Sequence, residues 1–199
     1  VERRRARVRQ RIADVTEALV RSRGIDAVTV EDITEAADVA RRTFYHHFGS
    51  KNDVLVPLAR ARTEELNRRI DRVIEGTWDA AEGVSIGLRH TLRRIPEDPL
   101  CAWFIFRSGL PHERLREGIG ESGARDLERG IAQGRFTITS REVVASVVGG
   151  ALIGLLSRRL HGMLEDAQLD EAVAYLLRLL GVPLDEAEEI AQRPLPPLP

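Results

Sequence analysis

Between a turn at Asp38-Val39 and a break at Gly49 the chain has room for one short helix, Ala40-Arg41-Arg42-Thr43-Phe44-Tyr45-His46-His47-Phe48. Phe44 and Phe48 are four residues apart and share one face, while Arg41, Arg42 and Tyr45 turn outwards on the other. A helix patterned in this way needs neighbours to clamp its apolar side. Two candidates precede it. Val8, Ile12, Val15 and Leu19 recur at i, i+4, i+7 and i+11, one face of an amphipathic helix that Arg21, Arg23 and Gly24 bring to a close. Thr29 then caps a short second helix, with Asp32 three residues on as an aspartate form of the capping box. The pattern predicts a three-helix unit whose core includes Ile33, Val39, Phe44 and Phe48.

Helical punctuation continues beyond this unit, and no alternating strand pattern is sustained. Ser50 and Asp53 open a fourth helix that is expected to run to about Glu75, with Pro57 disturbing its start. Further helices are expected at 78–94, 99–108 and 112–133. A long one should follow from Thr139 or Ser140 to Leu160, then one capped by Asp170 and ending at Leu180, and a short one at 184–191. The fold class is therefore all-α, with about nine or ten helices. The expected organisation is a helix-turn-helix domain at 1–50, a connecting helix at 51–75 and a larger helical domain at 76–199. The closing run Pro194-Leu195-Pro196-Pro197-Leu198-Pro199 reads as extended polyproline, loose or draped on the body.

Composition narrows the function. With 43% hydrophobic and 31% charged residues the chain is globular. The most apolar window, Val143 to Leu156, is shorter than the ~20 residues that span hydrocarbon, so a buried helix and no membrane contact are expected. No export signal precedes the first helix, and Cys101 is the single cysteine, so a reducing cytoplasm is the expected location. The five histidines and the cysteine show no metal-ligand spacing, and no nucleophile–base pair or cofactor loop stands out. The expectation is a protein with no catalytic residues, no metal and no cofactor. Net charge is −1, but residues 1–60 carry +3 and residues 61–199 carry −4. Most of the positive excess lies in Arg3, Arg4, Arg5, Arg7, Arg9 and Arg11, which places the polyanion-binding end at the N-terminus. These arginines can serve as an arm along the DNA backbone or minor groove.

The short helix has the chemistry for reading DNA. Arg41 and Arg42 can each offer a bidentate fork to guanine, and the Thr43 methyl can meet a thymine methyl. Tyr45, His47 and Lys51, the one lysine of the chain, can donate to phosphates.

The stretch Val28-Thr29-Val30-Glu31-Asp32-Ile33, then Ala36-Ala37, Val39, Thr43-Phe44-Tyr45-His46-His47-Phe48 and Ser50-Lys51, resembles the signature of the tetracycline-repressor (TetR) family. The close match covers about Ala18 to Leu55. It departs at Asp38, where the family has a left-handed glycine, and at Ala40, where a capping serine is common. The resemblance implies base contacts from Arg41, Arg42 and Thr43, and phosphate contacts from Thr29, Tyr45, His47 and Lys51. It also implies a homodimer on a pseudo-palindromic operator in double-stranded DNA, tuned by a small molecule.

The remaining chain supplies candidates for those roles. Small residues on the long helix permit close approach of a partner helix, so Ser146, Gly150, Ile153, Gly154 and Ser157, with Val173, Leu176 and Leu180 of the next helix, are expected at a dimer seam. Trp78, His90, Trp103, Phe104, Phe106 and Arg107 are candidates for a largely apolar ligand pocket. The expected function is a sequence-specific transcriptional regulator, a repressor in the family's commoner mode. The alternative is a sequence-neutral architectural DNA-binding helical dimer.

Overall fold

The computed structural model describes residues 2–107 and 120–199, and the side chains of residues 2–106 and 123–199. Among these residues there are ten helices and no strand. They are α1 (Glu2–Arg23), α2 (Val30–Ala36), α3 (Arg41–His47), α4 (Asn52–Ile74), α5 (Ala80–Arg94), α6 (Pro99–Arg107), α7 (Gly120–Ala132), α8 (Arg141–Leu160), α9 (Asp166–Leu179) and α10 (Leu184–Gln192). The start of the helix expected at 112–133 lies outside the described residues.

Two units emerge: Val1–Thr63 with Asp98–Leu110, and Glu64–Glu97 with Pro111–Pro199. The division falls inside α4, which stays continuous through Pro57 in its second turn. The chain crosses between these units within α4 and again between Glu97 and Asp98.

In the first unit Ile12, Val20, Ile33, Phe44, Leu55 and Ala59 form the buried centre. Leu100, Trp103 and Phe104 of α6 join the same cluster, although sequence order places α6 well beyond the reading head. Asp98 fixes that excursion at its start. One carboxylate oxygen accepts from the backbone N–H groups of Leu100 and Cys101, at 2.9 and 3.2 Å, and the other accepts from Arg62 at 2.8 Å. Free N–H groups at a helix start thus find an anionic acceptor, which in turn holds a cation.

The second unit is built around α5, which packs against α7, α9 and α10. Its core draws on Ile86, Leu92, Leu169, Val173, Leu177 and Ile190. Arg89 is buried there, and its charge is met by Asp170 at 2.8 Å and the carbonyl of Arg193 at 2.7 Å. A buried cation left without such partners would be strongly destabilising. Asp170 therefore sits inside α9 rather than capping it. The helix starts one turn earlier, where the backbone N–H of Glu165 donates to Gln168. Between α9 and α10, Gly181 takes φ +99, and a Cβ there would meet the Thr137 nitrogen at 2.9 Å. Only glycine satisfies both demands.

The proline-rich end is fastened rather than loose. His90 Nε2 lies 2.9 Å from the Pro196 carbonyl, and Arg69 donates to the Pro199 carbonyl at 2.8 Å. The expectation of a buried long helix also fails. Leu152 and Leu156 alone are fully buried on α8, whose length and composition would suffice to cross a membrane. Val144, Val148, Ala151, Ile153 and Leu155 are half-buried, while Val143 and Val147 are exposed.

Candidate nucleic-acid interface

The turn before α3 is made by Asp38 at φ 48, the left-handed conformation expected where a glycine is usual. Its N–H bonds to the Glu35 carbonyl and that of Val39 to the Thr34 carbonyl, both at 3.0 Å. Ala40 then occupies the N-cap with no side-chain hydrogen bond, so the first turn of α3 presents uncapped N–H groups. Phe44 and Phe48 are buried with ring centroids 5.7 Å apart, and Val39 is half-buried beside them. Together with buried Ile33 these are the residues expected to hold the unit. Pinned from behind in this way, α3 exposes Arg41, Arg42 and Tyr45, with Thr43 half-buried between the two faces. Tyr45 stands edge-on to Phe44 at 5.4 Å, and the Arg41 guanidinium lies 5.9 Å from the Tyr45 ring. The three side chains named for base contacts thus share one short segment with their donors on the solvent side.

The four residues named for phosphate contacts divide. Tyr45 is exposed. His47 is half-buried, and burial first, then its neighbours His46, Arg5 and Arg9, hold its imidazole below the usual range. Thr29 is occupied locally: its hydroxyl accepts from the Asp32 N–H at 3.1 Å and donates to the Asp32 carboxylate, and its backbone N–H donates to that carboxylate at 2.8 Å, completing a full capping box. Lys51 requires correction as a phosphate ligand. Its ammonium donates to the carbonyls of Ile25 at 3.0 Å and Val28 at 2.7 Å, tying the α1–α2 loop to the start of α4. At most its third N–H remains for DNA.

Two arginines belong to this head that the sequence reading did not place there. Arg9 donates to the His47 carbonyl at 3.0 Å and lies 4.4 Å from the Phe48 ring centroid. Arg11 donates to the Asp38 carbonyl at 3.3 Å. The signal was present in the spacing: Arg5, Arg9, Ile12 and Thr16 fall on one helical line, so the inward face of α1 continues into the arginine run. The run is helical from Glu2 onwards and is not an extended arm.

The candidate ligand-pocket residues fall in both units. Trp78 is 89% exposed, whereas Trp103 and Phe104 belong to the core of the first unit. His90 is buried in the second unit beneath Pro196. Phe106 is half-buried near the end of α6, and the side chain of Arg107 lies outside those described.

The dimer candidates divide by helix. On α8, Ser146, Gly150 and Gly154 are exposed, and Ile153 and Ser157 are half-buried. A Cβ on Gly150 or Gly154 would meet nothing within 4 Å. On α9 the expectation is corrected: Val173, Leu176 and Leu180 are buried in their own core, and Tyr175 and Leu179 occupy the open face at 53% and 52% exposure.

Residues 12–57 match the family described as bacterial regulatory proteins, tetR family, and residues 79–193 match the tetracyclin repressor-like, C-terminal domain. The chain belongs to the TetR family.

Among solved structures this TetR-family chain is similar to RolR in complex with resorcinol, at 31% identity and a TM-score of 0.84, covering 100% of both chains. It is similar to KstR, a transcriptional repressor of Mycolicibacterium smegmatis, at 26% identity over 85% of this chain and 86% of that one. Two HTH-type transcriptional regulators of Mycobacterium tuberculosis match at 30% identity, but the match spans 47% of this chain and 47% of theirs. TetR-family regulators bind DNA and small molecules and act as dimers. The chain is accordingly a DNA-binding transcriptional regulator and not an enzyme. A sequence-neutral architectural role is not favoured.

Proposed function

We propose that two copies of this chain repress transcription by placing their α3 helices in successive major grooves of a pseudo-palindromic operator, in the cytoplasm, and that a small molecule held by the second unit releases them. The observation that carries this reading is the outward presentation of Arg41 and Arg42 over the buried Phe44 and Phe48. Arg41, Arg42 and Thr43 read bases, while Tyr45 and His47 hold phosphates.

Pairing uses the uncovered face of α8, where Val143, Val147, Gly150 and Gly154 follow one another at helical spacing, joined by Tyr175 and Leu179 of α9. Two helices from each copy make a four-helix seam, and its twofold symmetry matches that of the operator. The likeness to RolR makes a small hydroxylated aromatic the first ligand class to test. Arg129 supports a ligand with hydrogen-bond acceptors: its Nε and Nη2 are buried without a hydrogen-bond partner, with Asp126 as an ion-pair neighbour of Nη2 at 3.6 Å. Gly83 leaves room for that guanidinium, since a Cβ there would collide with Nη2. Because α4 has one half in each unit, a ligand with differential affinity for two settings of α4 changes the spacing of the reading helices.

The test is footprinting on a selected operator, with resorcinol titrated into the complex. Two protected half-sites about 34–36 Å apart or slightly more, released by the ligand, are expected. A single half-site bound by one chain would refute the arrangement, and an indifferent response to resorcinol would remove that ligand class.

A further inference from the structure

We propose that the first two turns of α1 form a second DNA-contacting surface, gripping the phosphate backbone beside the groove read by α3. The inference rests on α3 as the reading helix and adds a contact that the family signature, which begins further along the chain, does not contain.

Arginines fill six of the nine positions from Arg3 to Arg11, and Glu2 is the single acidic residue before Asp14. All of them lie on α1. They form two strips: Arg5 and Arg9 one turn apart, and Arg4, Arg7 and Arg11 at i, i+3 and i+7. The inner member of each strip is fastened to the reading head, Arg9 to the last residue of α3 and Arg11 to the turn that precedes it. The strips are therefore continuous with the DNA-facing segment at both of its ends. Their outer members, Arg4, Arg5 and Arg7, are exposed, as is Arg3 beside them.

This arrangement works against the helix that carries it. Like charges three and four residues apart destabilise a helix, and positive charge at its N-terminal end opposes the macrodipole. A polyanion alongside reverses both effects. The shape selects which part of the DNA is met: an α-helix with side chains is about 10–12 Å across and the minor groove about 6 Å wide, so α1 lies on the phosphates and does not enter the groove. The contact adds affinity without adding sequence information.

The test replaces Arg3→Gln, Arg4→Gln, Arg5→Gln and Arg7→Gln together in the full chain. Affinity for the selected operator and for a scrambled duplex is then measured between about 50 and 200 mM salt, the range over which phosphate binding is most visible. The expected result is weaker binding to both duplexes, with the slope of log K against log salt shallower by about 0.9 for each phosphate that the variant no longer neutralises. The preference for operator over scrambled duplex should be unchanged, and the melting temperature should be no lower than that of the parent. An unaltered slope on both duplexes, with operator preference intact, would overturn the α1 surface and leave the α3 reading standing. Loss of preference at an unaltered slope would overturn it by making these arginines base readers. A parent protein with no preference for any duplex would overturn both readings.

Discussion

The ammonium of Lys51 donates to the backbone carbonyl of Val28 at 2.7 Å, and to that of Ile25 at 3.0 Å, so the one lysine of the chain closes the reading head from within. Replacing it, Lys51→Met, leaves two partly buried carbonyls without their donor. Charged hydrogen bonds of this kind are worth about 1.5–3 kcal/mol. Urea unfolding should show a drop in stability of that size, and operator and scrambled duplex should be weakened by the same factor. Unchanged stability with weakened DNA binding would instead return Lys51 to the phosphate contacts.

The dimer seam is tested on α8. Val147 is 48% exposed in the single chain and lies outside its buried core. Val147→Glu places a charge where the proposed partner helix lies, and Gly154→Trp fills the gap through which it approaches. Sedimentation should find monomers for both variants with parent-like helix content, together with a large fall in operator affinity. A persisting dimer would move the interface to another face.

His90 makes stability depend on pH. Burial first, and then the charges of Arg94, Arg93 and Arg89, hold its pKa below 6.5 despite the pull of the Pro196 carbonyl. The unfolded chain therefore takes up a proton near pH 6.5 that the folded chain refuses until lower pH. Stability should fall as pH drops below about 6.5 and level off once the folded-state value is passed. His90→Gln, which keeps a donor for the Pro196 carbonyl, should flatten that fall. An identical pH profile for parent and variant would contradict the assignment.

Cys101 is buried on α6, and desolvation, seconded by Asp98, pushes its thiol up to about 11. Thiolate is the reactive form, so a thiol reagent at pH 8 should modify the native protein only at the rate of unfolding. Label uptake as fast as that of a free cysteine would show that α6 leaves the core of the first unit far more readily than its packing implies.

The reading head was legible because its signals are local. The Thr29–Asp32 box, the left-handed Asp38 and the Phe44–Phe48 pair each act over four residues or fewer, and spacing alone fixes what they do. The dimer residues of α9 were not legible in this way. Val173, Leu176, Tyr175 and Leu179 give that helix apolar side chains on two faces, and periodicity cannot say which face its own chain covers. Trp103 and Phe104 were illegible for a related reason: they carry no mark of which unit they will complete. Lys51 and Arg9 find carbonyls 23 and 38 residues away, partners that a chain pattern does not encode.

The central claim is that Arg41 and Arg42 read base edges. Selection of bound duplexes from a random pool, run in parallel with the parent and with Arg41→Ala/Arg42→Ala, tests it most directly. The account predicts a pseudo-palindromic consensus for the parent, and a consensus relaxed at the contacted positions for the variant, with affinity weaker by about 1–3 kcal/mol per base-contacting arginine. The same consensus at the same affinity from both proteins would contradict it.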